Sequence, residues 1–141
     1  MTEYTTPENE GRIVALLQGA FLFTILAAAV AATFMQGALG SSQELIASLS
    51  LPVLAAFIGL VGALSLVSYT SASVFARRSA QQRGKKAFAL RLVSVMIVGG
   101  IHELCAFAGL LVVLLGGPVW FSYVVSAFTG MRVSKFDGSI K

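Results

Sequence analysis

The sequence predicts an all-α protein, a multi-pass transmembrane bundle of four helices with both termini cytoplasmic. Three observations carry this. The 141 residues are 57% hydrophobic and only 11% charged, where soluble domains carry about 25% charge. The apolar residues form four runs, three long and the last short, separated by polar breaks. Six of the ten basic residues (Arg77, Arg78, Arg83, Lys85, Lys86 and Arg91) crowd into the single break between the second and third runs. With a mean hydropathy of +0.86, a chain this short cannot hide its apolar surface in its own core, and a bilayer must solvate part of it.

The chain reads as one integral membrane domain, residues 1–141. Its first eleven residues, MTEYTTPENEG, are polar and acidic. A secretory signal wants a basic start and a short apolar core, so this segment is expected to stay on the protein. The first span covers about 12–39. Ala27, Ala28, Ala31 and Ala32 give it small side chains four apart, a spacing that admits a second helix at close range, with Ala28 as the packing residue. Gln18 and Gln36 lie toward its two ends and read as interfacial.

A turn-rich loop follows at 37–50, where SSQE suits a capping box for a short helix. The second span, about 51–75, starts with Pro52 in a tolerated first-turn position. Gly59 and Gly62 are expected to pack against a neighbour. Ser65, Ser68, Tyr69 and Ser73 put hydroxyls along one side. Those hydroxyls either bond back to their own helix or line a wet pathway.

The basic segment at 76–91 marks a cytoplasmic loop, with Arg77, Arg78, Arg83, Lys85 and Lys86 facing anionic headgroups rather than nucleic acid. The third span runs from about 87 to 116 and ends at the turn signal GGP. A fourth apolar piece, about 118–133, is short for a crossing and carries Trp120 and Tyr123 as interfacial aromatics. Four crossings return Arg132, Lys135 and Lys141 to the cytoplasm; three crossings and a re-entrant end are the alternative. The short extramembrane segments suit a bacterial inner membrane.

The third span holds the sequence's candidate site. His102, the single histidine, stands beside Glu103 in the middle of the apolar run. A charge there costs about 2.5–3.5 kcal/mol on insertion scales, and ionisable residues within membrane helices mark functional sites. Glu103 either holds a proton or pairs with a partner or cation. Arg91 lies about 18 Å of helix rise away. His102 points about 100° around the helix from Glu103, so the two can share a polar pocket without pairing. Gly99, Ala106 and Leu110 share the face of Glu103. The competing reading makes the pair polar glue between helices. A third makes His102 an axial haem ligand, with the second ligand coming from another chain.

The run HELCAFAGLLVVLL (102–115), with the basic loop ARRSAQQRGKK (76–86) before it, resembles the ion-carrying hairpin of the rotary ATPase proteolipid, the c-ring subunit. In that resemblance Glu103 matches the midplane carboxyl, and Gly109 and Leu110 match the Gly-Leu that follows. It implies a ring of identical subunits with reversible protonation or sodium binding at Glu103. It covers residues 76–115.

The remaining chemistry is sparse. One cysteine, Cys105, excludes an internal disulfide and a Cys-based metal cage, and reads as a small buried hydrophobe. No phosphate-binding glycine loop is present, and a single His with a single Cys gives poor support to nucleophilic catalysis. The sequence thus points to a non-enzymatic subunit of a larger, energy-coupling membrane complex. No metal or cofactor is expected apart from the haem alternative, and a homo-oligomer stays open. A purely structural subunit is the runner-up.

Overall fold

The structure is a computed structural model that describes residues 7–39 and 51–138. Among the described residues four α-helices make up the fold: α1 (Pro7–Leu39), α2 (Leu51–Ala80), α3 (Lys85–Leu114) and α4 (Val119–Lys135). Three of them, α1, α2 and α3, are long and apolar enough to cross a membrane. At 1.5 Å per residue α4 reaches only about 25 Å, short of the roughly 30 Å hydrocarbon core. The capping box SSQE and the short helix expected from it, at residues 41–44, lie outside the described residues.

The helices outrun the sequence boundaries mainly at the basic end. α2 continues through Arg77 and Arg78 to Ala80, and α3 begins at Lys85, so the basic segment is mostly helix with a short turn between. Ser79 donates to the Ala87 carbonyl at 2.8 Å and pins that turn. Arg77 and Arg78 fall in the last turn of α2, where they complement its carbonyl end.

The connection from α3 to α4 is as sharp as GGP suggests. Gly116 adopts φ 89°, a left-handed conformation that an L side chain resists. The Gly116 N–H then reaches the Val113 carbonyl at 2.9 Å, and the Gly117 N–H reaches the Val112 carbonyl at 2.7 Å. This pairing of the last turn's carbonyls is a Schellman motif, and Pro118 next in line prevents α3 from continuing. The chain reverses and α4 runs back along α3.

Helix α3 is the central helix: α1, α2 and α4 all pack on it, and α1 also packs on α4. The ladder of contacts fixes the directions. Gly109 sits against the Ser122 backbone near one end of the α3–α4 pair, and the Arg91 Nε donates to the Asp137 carbonyl at 2.8 Å near the other. Thr33 and Tyr123 share a 2.7 Å hydrogen bond between α1 and α4, while the Gln18 side-chain amide donates to the Val133 and Phe136 carbonyls at 3.2 and 2.5 Å. Gln18 therefore closes the carbonyl end of α4 rather than resting free at an interface. α1 and α3 point one way; α2 and α4 point the other.

Two apolar clusters hold the bundle. Val61, Cys105, Val112, Phe121 and Val125 join α2, α3 and α4, with the edge of Phe121 against Phe57 at 6.5 Å. Cys105 behaves there as the expected small hydrophobe. Ile25, Ala28, Ala106 and Val133 join α1, α3 and α4. Ala28 and Ala32 are buried, but Ala27 faces outward, so the packing edge of α1 follows one of the two alanine rows.

The glycines divide in the same way. A side chain at Gly99 would overlap the Phe21 ring, and one at Gly109 would press on the Ser122 backbone. Both are true close-approach positions. At Gly59 and Gly62, by contrast, a Cβ would meet nothing within 4 Å. Among the described residues, then, neither is a close-approach position between two helices of the chain, and the neighbour their spacing suggests would have to come from outside it. Period-three spacing marks a smooth face and does not say which side of the helix it lies on.

Candidate functional site

The groups that the sequence set side by side are separated by the rotation of α3. His102 points into the bundle and is 2% exposed. Its Nδ1 lies 2.8 Å from the Val98 carbonyl one turn earlier. A carbonyl only accepts, so Nδ1 carries the proton. Nε2 is then the acceptor, and it lies 3.2 Å from the Ser65 hydroxyl of α2, which donates. The Ser68 hydroxyl, fully buried, stands 3.5 Å from Nδ1 as a weaker contact. The Phe128 ring of α4 flanks the imidazole at 6.5 Å between centroids. Both ring nitrogens are satisfied within this chain.

His102 also forms the floor of a cleft. Helices α2 and α4 both lean on α3 and leave a furrow between them. One chamber, about 130 Å³, is lined by Ser65, Ser68, Tyr69, His102, Arg132 and Lys135, with Val98 and Phe136 completing it. A second chamber, about 430 Å³, is lined by Gly62, Ser65, Leu66, Tyr69, Phe128 and Arg132. They share Ser65, Tyr69 and Arg132. The Arg132 guanidinium rests over the Phe128 ring at 5.4 Å, a cation–π contact that steadies it at the mouth.

Glu103 is elsewhere. It is half-buried and lines neither chamber. One turn earlier on its side, Gly99 carries Phe21 of α1; three residues later, Ala106 packs with Ile25 and Ala28 of α1. Leu104 and Phe107 beyond it are exposed. Glu103 thus occupies the outer margin of α3 next to α1, and it makes no hydrogen bond or ion pair among the described residues. Arg91 lies about 18 Å of helix rise toward one end, and Leu114 about 17 Å toward the other. The carboxyl therefore sits midway along the apolar length.

The charges segregate along the bundle axis. Arg12, Arg77, Arg78, Arg83, Lys85, Lys86, Arg91, Arg132 and Lys135 all belong to the end where α1 and α3 begin and α2 and α4 finish. Asp137 lies there too, accepting through its carbonyl from Arg91. Trp120 and Tyr123, 54% and 41% exposed, start α4 at the opposite end.

The hydroxyl row of α2 was the legible sign of the cleft. Ser65, Ser68 and Tyr69 do line it, whereas Ser73 bonds back to the Thr70 carbonyl at 2.8 Å. The part that Arg132, Lys135 and Phe128 play had no signal in the linear sequence, because it depends on how α4 lies over α3. Two hydroxyls of α4, Ser122 and Ser126, are buried without a hydrogen-bond partner among the described residues.

For a cofactor, His102 has one feature of a ligating imidazole: a carbonyl fixes its Nδ1 and leaves Nε2 as the free-electron-pair nitrogen. Ser65 would have to turn away for Nε2 to bind iron. No group of three or more His, Cys, Asp or Glu residues gathers among the described residues in a way that could hold a metal ion. Comparison of the chain with protein-family models, with curated proteins and with solved structures finds no match.

Proposed function

We propose that this chain is a small integral membrane subunit of a larger, energy-coupling assembly, and that Glu103 takes up and releases a proton or cation in it. One observation carries the reading: a carboxyl midway along the central helix has no partner among the described residues and is presented at the outer margin. In hydrocarbon that state is expensive for a charge. Glu103 must hold a proton or meet a cation or donor from outside the chain, and either state is one that can exchange. The c-ring resemblance adds to this reading.

The same proposal sets the chain in a bacterial inner membrane with four crossings and both termini in the cytoplasm. The basic end of the bundle supports that orientation, since basic flanks stay on the cytoplasmic side. The chain is not an enzyme by itself in this reading. Its partners are other membrane subunits or further copies of itself.

The test begins with native mass spectrometry of the tagged chain extracted gently from its own membrane. Many identical copies in one closed particle favour a proteolipid-like ring, whereas one or two copies with larger subunits favour an accessory place. The isolated assembly is then reconstituted in vesicles with a pH-sensitive dye. Glu103→Gln is expected to leave assembly intact and abolish ion-linked activity. Full activity in that variant sinks the proposal.

A second reading, a structural subunit without ion chemistry, draws on the satisfied state of His102. It expects Glu103→Gln to be nearly silent and bulky replacement of Ala28 to disrupt assembly.

A further inference from the structure

We propose that the cleft between α2 and α4 is a lateral binding site for one anionic phospholipid, with its phosphate at Arg132 and Lys135 and an acyl chain along Gly62, Leu66 and Phe128. The proposal rests on the membrane reading above, but not on ion transfer at Glu103.

The argument starts from charge. Arg132 and Lys135 line the cleft, and among the described residues no carboxylate does. The acidic residues among those described, Glu8, Glu10, Glu103 and Asp137, are absent from both linings. Two cations held at one mouth, with no carboxylate among the described residues that line it, attract an anion, and between membrane helices on the basic side lipid headgroups are the abundant ones. Arg132 is already ordered by its stacking on Phe128. A planar guanidinium held in place gives a phosphate two parallel donors.

The depth of the cleft then selects a lipid over free phosphate. The Ser65 and Tyr69 hydroxyls continue the polar lining inward from Arg132, at the level where a glycerol ester would lie. Beyond them the larger chamber turns apolar, between Gly62 and Leu66 on one side and Phe128 on the other. The missing side chain at Gly62 keeps that wall open. A free anion would use the mouth and leave the apolar chamber idle; a lipid uses both. The exposed residues Arg77, Arg78, Arg83, Lys85 and Lys86 lie outside both linings, so they attract headgroups in general and do not define a site.

The test uses the full-length chain in detergent, titrated with phosphatidylglycerol, phosphatidylcholine or inorganic phosphate and read by native mass spectrometry. One phosphatidylglycerol is expected to bind well ahead of phosphatidylcholine. The double variant Arg132→Gln/Lys135→Gln is expected to weaken it about thirtyfold, since each basic residue near an anionic surface contributes roughly a factor of five. The control Arg83→Gln/Lys86→Gln leaves that first binding step unchanged. Gly62→Leu, which meets open space and so spares the fold, also weakens it by filling the chamber. Equal binding of the two lipids overturns the proposal, as does a double variant no weaker than the control. Phosphate competing at equal concentration shows an anion site instead. A photo-cross-linker at Leu66 that captures a protein subunit rather than lipid in the native membrane shows a docking face for a partner helix, and equally overturns it.

Discussion

Two sides of α3 meet at the bond between residues 102 and 103, and they are finished to different degrees. On the inner side, His102 donates a hydrogen bond to the Val98 carbonyl, accepts one from the Ser65 hydroxyl, and is flanked by Phe128. On the outer margin, Glu103 has neither a donor nor a cation among the described residues and is only half-buried. A polar group that the chain itself satisfies adds to the stability of the bundle. One that it leaves open directs attention outward, to a proton, an ion or a neighbour. Adjacent residues in a helix face different worlds because each step rotates by 100°.

The largest effect should come from emptying the finished side. His102→Ala removes two hydrogen bonds and a buried ring, leaving Ser65 facing a cavity. Membrane hydrogen bonds average about 0.6 kcal/mol, and a cavity of ring size adds more, so a loss of about 2–4 kcal/mol is expected. Reversible unfolding in bicelles would measure it. A loss under about 0.5 kcal/mol would mean that the imidazole is not the keystone of the α2–α3 contact.

Next comes the packing edge between the two sides. Gly99→Val drives a side chain into the Phe21 ring, and Gly109→Val presses on the backbone at Ser122, whose Cα would lie 3.3 Å from the new Cβ. Overpacking of this kind costs about 1–3 kcal/mol. Gly109 should be the worse of the two, because an aromatic side chain can swing aside and a helix backbone cannot. The reverse order in the same unfolding assay would show that α4 is free to shift on α3.

Much of this comparison was legible in the sequence, and the rest was not, for definable reasons. The helices follow from run length and from GGP, since hydropathy and turn chemistry are local properties. The midway position of Glu103 needs only counting. The hydroxyl row of α2 pointed to a polar lining. Four matters depended on which faces meet, and spacing is silent on that: Gln18 reaching the end of α4, Arg132 over Phe128, the outward turn of Gly59 and Gly62, and the separation of His102 from Glu103. In a water-soluble helix the polar face would have marked the outside. A helix that is apolar all round carries no such mark.

The open side gives the next smaller effect on stability and the larger one on function. Glu103→Gln keeps the shape of the side chain and removes only its ability to ionise. With no partner among the described residues to lose, the unfolding free energy should move by less than about 0.5 kcal/mol, the range of substitutions away from packed features. A drop of 2 kcal/mol or more would reveal a partner within the chain and undercut its role as an outward-facing exchange group.

The last expected effect, a small gain rather than a loss, tests whether the outer surface is indifferent to packing inside the chain. At Gly59 an added methyl meets open space and stays within a helix, where alanine is favoured over glycine by about 0.5–1 kcal/mol. Gly59→Ala should therefore stabilise the isolated chain slightly in bicelles. The same change in the native membrane is the sharper measurement. If it stabilises the chain alone yet lowers the yield of the intact assembly, the glycine's smoothness serves a contact with another subunit, and the packing role suggested by its spacing moves from within the chain to between chains. If both measurements rise together, that face of α2 meets only lipid, and the outward business of the molecule is concentrated at the Glu103 margin and the cleft.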